Sequence, residues 1–442
     1  MNTKVLQGLF LSALFLPLVT LSTPNAIVRG ETDSHPLGII SYLKGGDRWV
    51  KELPNGQAQR LAIDGHSTGS SPSPSGQWKA YPKDGELWVA RSSGTDARAL
   101  SPGTEVGTFA WSPVSDILAY IPRLGGLHMA SADEWREREV VAAADDGELR
   151  GFFSLAWSPN GKWLVYVREE MTKGEQPPDN RYASLWRIRA DGSDAAQLFD
   201  SASAPGALMV AGWSPDSQYI LFRPDPLFSA SLLADGISLM AISVSGGKPT
   251  KLVESMLAHE GFLAWSPDGK LLAVTEGFGR ETWSHKRIAV VELTGGTLTY
   301  LTDDKTAALS PVWSPDGRRI AYIAAPDIGF LGGGEEAKAG VAKRRIWVMN
   351  RDGSAQRQLT HDATFRDEQP LWSADGGHLV FARLDQSGRA SLWLMRDDGS
   401  ELQQMDELSP APEWFGYYGY IDWGGYFAWW PGAIHRPPPL TE

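Results

Sequence analysis

The chain has 442 residues and a formal net charge of −12, from 41 Lys and Arg against 53 Asp and Glu. This excess of acidic residues, spread through the chain, argues against nucleic-acid binding, which needs a basic surface to neutralise phosphates. Cysteine is absent, which excludes disulfides, thiolate-bound metals and a cysteine nucleophile.

Residues 1–22 are predicted to form a secretory signal peptide. They contain Lys4, then an apolar run, then small residues up to a cleavage position after Ser22. Cleavage after Ala26 is a second candidate. An uncleaved anchor helix is the alternative, because an apolar run of about 17 residues is at the lower limit for spanning a membrane. We expect an extracytoplasmic protein, periplasmic or secreted, with no membrane span in the mature chain.

A short motif recurs through the rest of the chain, with Trp-Ser-Pro-Asp-Gly as its fullest form. Its copies begin at Pro72, Trp111, Trp157, Trp213, Trp265, Trp313 and Trp372. Pro followed by Asp-Gly predicts a tight turn, because Pro fixes φ and Gly tolerates a positive φ. Each copy precedes short apolar runs separated by two-residue turns, which is typical of β-hairpins. Four short strands (A to D) repeated at roughly 50 residues form one blade of a β-propeller.

The two termini predict how the ring closes. The N-terminal repeat region, from residue 39, supplies strands B, C and D without a strand A. Segment 420–425 is predicted to be a strand A followed only by a tail. Pairing of the C-terminal strand A with the N-terminal strands B to D would complete a blade and remove the exposed sheet edges at the two termini. We therefore predict an all-β fold of eight four-stranded blades in one domain, 39–428, with a Pro-rich tail, 429–442. Seven blades with unrelated terminal segments is the alternative.

The repeated motif resembles that of the TolB-like, WD-like family of β-propellers. It is also similar to the propellers of prolyl-oligopeptidase-type enzymes. The resemblance covers nearly the whole chain after the signal segment. A TolB protein also has an α/β domain before its propeller, and a prolyl peptidase has a hydrolase domain. We expect neither here, so the resemblance implies a propeller without a catalytic partner.

The long loops predict the binding face. In an antiparallel blade the A–B and C–D turns share one face, here the tight-turn face, and the B–C and D–A loops share the opposite, long-loop face. Insertions confined to one face of a repeat fold indicate a binding surface. We expect Phe153, Phe262, Glu368 and Gln369 to surround the channel mouth on the long-loop face. Trp414 opens an aromatic stretch that we expect to pack mainly against the closing blade, with a stacking platform for sugars or peptides as the alternative.

The preferred function is an exported, non-enzymatic scaffold that recognises a protein or a cell-surface glycan on the long-loop face. We predict no cofactor and no metal. His259 and His361 fall in loops of this face, and some propeller lyases of this broad superfamily bind a divalent metal through channel histidines. The alternative function is therefore a metal-assisted polysaccharide lyase or hydrolase at the channel mouth. A structural subunit of an envelope complex is a third possibility.

Overall fold

The computed structural model describes residues 37–60, 71–123, 125–142, 149–171, 181–201, 206–225, 236–293, 295–329 and 333–429. The signal segment, Ala26 and the tail beyond Trp429 lie outside the described residues. Within the described ranges, no helix combines the length and the apolar character needed to cross a membrane.

The described strands form eight antiparallel sheets of four strands each, as predicted, and the seven-blade alternative is wrong. Blade 1 contains β1 (Gly38–Lys44), β2 (Asp47–Leu53), β3 (Gln59–Arg60) and the last described strand, β32 (Phe427–Trp429). Blade 2 contains β4 (Ser71–Pro72), β5 (Trp78–Lys83), β6 (Glu86–Arg91) and β7 (Arg98–Ala99). Blade 3 contains β8 (Val106–Trp111), β9 (Ile117–Pro122), β10 (Leu127–Ser131) and β11 (Glu137–Val141).

The remaining blades follow the same order, from strand A at the channel to strand D at the rim. Blade 4 contains β12 (Leu149–Trp157), β13 (Trp163–Met171), β14 (Arg181–Arg189) and β15 (Ala196–Asp200). Blade 5 contains β16 (Ala207–Trp213), β17 (Tyr219–Asp225), β18 (Ile237–Ser243) and β19 (Thr250–Met256). Blade 6 contains β20 (Leu263–Trp265), β21 (Leu271–Glu276), β22 (Arg287–Glu292) and β23 (Leu298–Tyr300).

Blade 7 contains β24 (Thr306–Trp313), β25 (Arg319–Pro326), β26 (Arg345–Asn350) and β27 (Arg357–Gln358). Blade 8 contains β28 (Phe365–Trp372), β29 (His378–Asp385), β30 (Ala390–Arg396) and β31 (Gln403–Leu408). A short helix, α1 (Glu335–Val341), lies in the B–C loop of blade 7, and 3₁₀ turns occur at Glu260–Phe262 and Trp423–Gly425.

The serine of the repeated motif closes the A–B turn of each blade that carries it. Ser314 Oγ donates to Asp316 Oδ1 (2.6 Å) and accepts the backbone N–H of Arg319 (3.0 Å). Gly317 follows with a φ of 67°, a conformation that is costly for a residue with a Cβ. The same hydroxyl–carboxylate contact recurs at Ser214–Asp216, Ser266–Asp268 and Ser373–Asp375. The predicted tight turn is therefore built from contacts within one repeat.

Five of the six motif tryptophans join their blade to the one before it. Their indole N–H groups donate to strand A carbonyls of the preceding blade at 3.0–3.2 Å: Trp111 to Ser71, Trp157 to Ala110, Trp213 to Ala156, Trp313 to Ala264 and Trp372 to Val312. These rings are at most 8% exposed. A buried indole packs a large apolar surface and needs one acceptor, so this geometry accounts for five of the 19 tryptophans.

The ring closes between the N- and C-terminal strands, as predicted, but through a different strand. β1 pairs antiparallel with β32, with Tyr42 opposite Phe427. The expected strand at 420–425 is wrong, because Trp423 begins a 3₁₀ turn whose N-cap, Asp422, accepts the Gly424 N–H. Consecutive glycines weaken a strand and suit such a turn. The closing strand lies a few residues further along and includes Trp429, one residue beyond the predicted domain end.

A second contact joins blade 8 to blade 1. Asp406 on β31 accepts hydrogen bonds from the Tyr42 hydroxyl (2.5 Å) and the Lys44 ammonium (2.6 Å), both on β1. Burial alone raises the pKa of Asp406, but the hydrogen bonds from Lys44 and Tyr42 outweigh it, so the net pKa is lowered. Burial and the neighbouring Asp406 raise the pKa of Tyr42. The ionised carboxylate therefore stabilises the closure.

Asp406→Asn is expected to lower the melting temperature at neutral pH, with an effect that shrinks in acid. A carboxylate with a lowered folded-state pKa stabilises the fold above its unfolded pKa of about 3.9 and loses that contribution as pH falls through the folded value. Thermal unfolding of wild type and variant in steps from neutral pH to about pH 2 measures this, with the exposed Asp304→Asn as control. A difference that persists unchanged at the acid limit would contradict the assignment.

Candidate functional site

Three connections of the long-loop face pack together into one unit, here called the cap. It comprises described residues of the B–C loops of blades 6 and 7 (277–286, 327–329 and 333–344) and of the loop from blade 8 to β32 (409–426). Trp283 packs on Ala337 and Val341 of α1, and its ring lies 5.6 Å from that of Phe415. The predicted separate insertions therefore share a small core of their own.

A buried ion network attaches the cap to the inner strand of blade 8. Glu368 on β28 is 2% exposed, and its Oε1 accepts hydrogen bonds from Arg344 Nη1 (2.8 Å) and Arg366 Nε (2.6 Å). Both guanidinium groups also donate to the carbonyl oxygen of Gly419, at 2.6 and 2.7 Å. The Trp423 indole nitrogen lies 3.4 Å from Glu368 Oε2. Glu368, predicted at the channel mouth, therefore holds the cap.

The charges of this network are mutually compensated. Burial alone raises the pKa of Glu368, but Arg366 and Arg344 outweigh it and lower the net value. Burial lowers the pKa of Arg366 to about 10, which keeps it protonated at neutral pH. The remaining guanidinium donors reach carbonyl oxygens, with Arg344 Nη2 at 2.9 Å from Thr282 and Arg366 Nη1 at 2.5 Å from Trp414. The side chains of this network are therefore committed to structure.

A small cleft of mixed polar and apolar lining lies where the cap meets the inner strands of blades 6 to 8. Its volume is about 230 Å³, and its lining includes Gly261, Ser310, Gln369, Tyr420 and Asp422. The position that a Cβ on Gly261 would occupy is 3.5 Å from the Gln369 side-chain oxygen and 3.7 Å from the hydroxyls of Ser310 and Tyr420. Three polar groups from three separate elements therefore converge above this glycine.

Ser310 and Gln369 reach the cleft because each occupies a bulge in an inner strand. The pairing register shifts at both positions, and their φ values are 53° and 50°. Such values are uncommon for residues other than glycine. Each is followed by proline, which cannot donate to a strand ladder and is confined to edges and bulges. Ser-Pro before Trp313 was therefore a sequence signal for Ser310, which sequence reasoning missed.

His259 flanks the cleft and is part of its packing. Its ring stacks on Tyr420 with centroids 3.7 Å apart and meets the edge of Phe262 at 5.1 Å. Burial lowers the pKa of His259 to about 3, with further lowering by Arg223 and Lys286. The imidazole is therefore neutral at physiological pH. Phe262 itself is completely buried in the core between blades.

His361 and Trp414 do not line the cleft. His361 is exposed, and its Nδ1 contacts the side-chain amide of Gln358 at 3.2 Å. Trp414 is half-buried in the cap. Phe153 belongs to β12, but its side chain lies outside the described residues. Within the described ranges, no three His, Asp or Glu side chains form a group that could hold a metal ion.

A group of cap side chains, all exposed except the partly buried Arg280, is called here the aromatic surface. It consists of Phe278, Arg280, His285, Tyr417 and Tyr418. Phe278, Tyr417 and Tyr418 are 58%, 52% and 38% exposed. The rings of Phe278 and His285 stack at 5.2 Å, and the Arg280 guanidinium lies 5.3 Å above the ring of Tyr418. The sequence indicates the C-terminal aromatic stretch and the long loop 276–286, but no pattern in it singles out the Phe278 side chain.

No protein-family profile matches the chain. An uncharacterised protein of Agrobacterium fabrum is 25% identical over 213 residues, which are 48% of this chain and 62% of that protein. The Tol-Pal system protein TolB of Roseobacter denitrificans is 31% identical over 121 residues, 26% of each chain. The chain thus spans less than two thirds of the length of these curated relatives.

The solved structure of dipeptidyl peptidase 4 from Porphyromonas gingivalis superposes with a TM-score of 0.60 at 12% identity. The match covers 85% of this chain and 60% of the peptidase chain, and at this identity it shows the shared fold alone. The repeat resemblance predicted from the sequence is confirmed by the similarity to TolB and by this fold. The chain is an eight-bladed β-propeller whose repeats are similar in sequence to those of TolB.

Proposed function

We propose that the chain is an exported, non-enzymatic binding protein that recognises a protein or a cell-surface glycan on its long-loop face. The aromatic surface carries the proposal. Aromatic residues and arginine dominate the energetics of binding surfaces, and contiguous exposed apolar side chains on a soluble domain mark sites of interaction. Here three large aromatic side chains lie in the cap together with Arg280.

The backbone beneath the aromatic surface is held in place. The Tyr418 carbonyl accepts the Thr282 N–H (3.1 Å) and hydroxyl (2.9 Å). Lys286 is fully buried and donates to the Phe278 and Gly279 carbonyls at 2.7 and 3.0 Å. Burial lowers the pKa of Lys286 to about 8. A surface fixed in this way loses little conformational entropy when a ligand binds.

The tight-turn face has no comparable group within the described residues. Val114 and Leu402 are 61% and 40% exposed, but they lie singly in the A–B turn of blade 3 and the C–D turn of blade 8. Single exposed apolar residues are normal on soluble proteins. These two residues therefore serve as matched controls for a test of the aromatic surface.

The test compares a Phe278→Ser, Tyr417→Ser double variant with a Val114→Ser, Leu402→Ser double variant. Each purified protein is immobilised at equal loading and exposed to the envelope fraction of the producing cells. We expect wild type and control to retain the same protein or polysaccharide. The aromatic variant should lose at least tenfold in affinity, since each central aromatic contributes on the order of 2 kcal/mol. Equal retention by all three proteins, or no retention by wild type, would refute the proposal.

A further inference from the structure

We infer that the cleft above Gly261 binds a single neutral or amino-bearing sugar residue, the end of a glycan that also crosses the aromatic surface. This inference rests on the proposed function, because the remaining sugar residues of the glycan would lie on the aromatic surface. Of the two ligands in the proposed function, the glycan is the one inferred here. The size, the polar groups and the charge of the cleft each support this choice.

The cleft is suited to one ring. Its volume of about 230 Å³ lies below the roughly 300 Å³ at which sites for drug-sized ligands begin. Leu263, Pro311 and Val312 contribute apolar lining, against which the C–H groups of a sugar ring can pack. Polar groups above an apolar wall match the two kinds of surface that a sugar presents.

The polar groups suit hydroxyl ligands. Serine hydroxyl, glutamine amide and tyrosine hydroxyl groups each both donate and accept hydrogen bonds, as sugar hydroxyls do. Ser310 is 4% exposed, and within the described part of the chain neither its hydroxyl nor the Gln369 amide makes a hydrogen bond. An apolar ligand would leave these groups desolvated without partners, at a cost of about 1–3 kcal/mol each.

The charge of the cleft excludes acidic ligands. Asp422 is its one charged lining residue, and its carboxylate is exposed and only accepts hydrogen bonds. The nearby cations of the cap, Arg344, Arg366 and Lys286, are bound to Glu368 or to carbonyl oxygens. Arg223, which acts on His259, does not line the cleft. Uronates and phosphorylated sugars would therefore meet repulsion, whereas a sugar amine would gain a charged partner.

A substitution at Gly261 is expected to block the cleft without disturbing the fold. A Cβ there would meet the three polar groups at ordinary contact distances, and Gly261 is not among the positive-φ glycines. Gly261→Ala is thus expected to fold normally while its methyl group fills the point where those groups converge. Gly425→Ala is the matched control, because Gly425 is exposed and has no atom within 4 Å of its Cβ position.

The experiment is calorimetric titration with glucose, galactose, mannose, glucosamine and galacturonate. We expect at least one neutral or amino sugar to bind, and galacturonate to bind at least tenfold more weakly. Gly261→Ala should reduce binding at least tenfold, while Gly425→Ala and the aromatic double variant should retain it. Absence of binding by every neutral and amino sugar, strongest binding by galacturonate, or unchanged binding by Gly261→Ala would overturn the inference.

Failure of this inference is distinguishable from failure of the proposed function. If no monosaccharide binds but the envelope fraction yields a protein whose retention depends on Phe278 and Tyr417, the proposed function stands and the sugar cleft does not. If monosaccharides bind with the expected selectivity but the aromatic variant retains envelope material normally, the cleft stands and the aromatic surface is not the recognition face.

Discussion

Glu368→Ala is expected to lower the free energy of unfolding by about 3–5 kcal/mol, the cost of removing one partner from a buried ion pair. The substitution removes the carboxylate that pairs with the guanidinium groups of Arg344 and Arg366. Both arginine side chains are at most 2% exposed, so their charges would stay buried without that partner. Neither can recover water without breaking its bonds to Gly419. Urea denaturation of wild type and variant measures the difference.

The control is a second Glu–Arg ion pair, which has a similar N–O distance but is exposed to solvent. Glu105 and Arg123 are 2.7 Å apart with side chains 57% and 68% exposed, and exposed pairs contribute about 0–1 kcal/mol. Glu105→Ala should therefore unfold close to wild type. Hydrogen exchange should rise first in segment 409–426 of the Glu368 variant, because the network attaches that segment to β28. A Glu368 variant as stable as the Glu105 variant would show that the cap does not depend on this network.

Truncation after Tyr426 is expected to open the ring. It removes β32, including Phe427, whose side chain is 1% exposed, and the loss of a buried phenylalanine alone costs about 3–5 kcal/mol. It also exposes the edge of β1, and unpaired sheet edges promote association between chains. We expect a lower urea midpoint together with oligomers or aggregates on size-exclusion chromatography.

Truncation after Trp429 is the matched control, because it keeps every described strand and removes only residues 430–442. This shorter truncation should leave the urea midpoint and the elution volume near those of the full chain. If both truncations behaved alike, β32 would not be the element that closes the propeller.

The two sites depend on the same chain segment. Residues 417 and 418 belong to the aromatic surface, and residues 420 and 422 line the cleft. Segment 409–426 connects blade 8 to β32, so ring closure and the proposed ligand-binding groups share one connection. The Glu368 and truncation variants should therefore lose sugar binding as well as stability, whereas Gly261→Ala should lose binding alone.

The repeats were predictable because their contacts are local. Ser314, Asp316 and Gly317 form their turn within four consecutive residues, and the same spacing recurs in other blades. Binary alternation and two-residue turns identified the strands, and the orphan terminal strands indicated closure. The position of β32 does not follow from the repeat, because Trp423 resembles a motif tryptophan but lies in a turn that Asp422 and the two following glycines form.

The sequence by itself determined the eight-bladed ring and the face that carries the long loops, since both follow from short-range turns repeated at a regular spacing. Only the tertiary structure decided which loops form the cap and which side chains meet in the cleft. Gly261, Ser310 and Tyr420 belong to three different parts of the chain, and no periodicity relates them. Their convergence is set by the packing of neighbouring blades and by burial of the Arg344–Glu368–Arg366 network, where desolvated charges allow only one arrangement of partners.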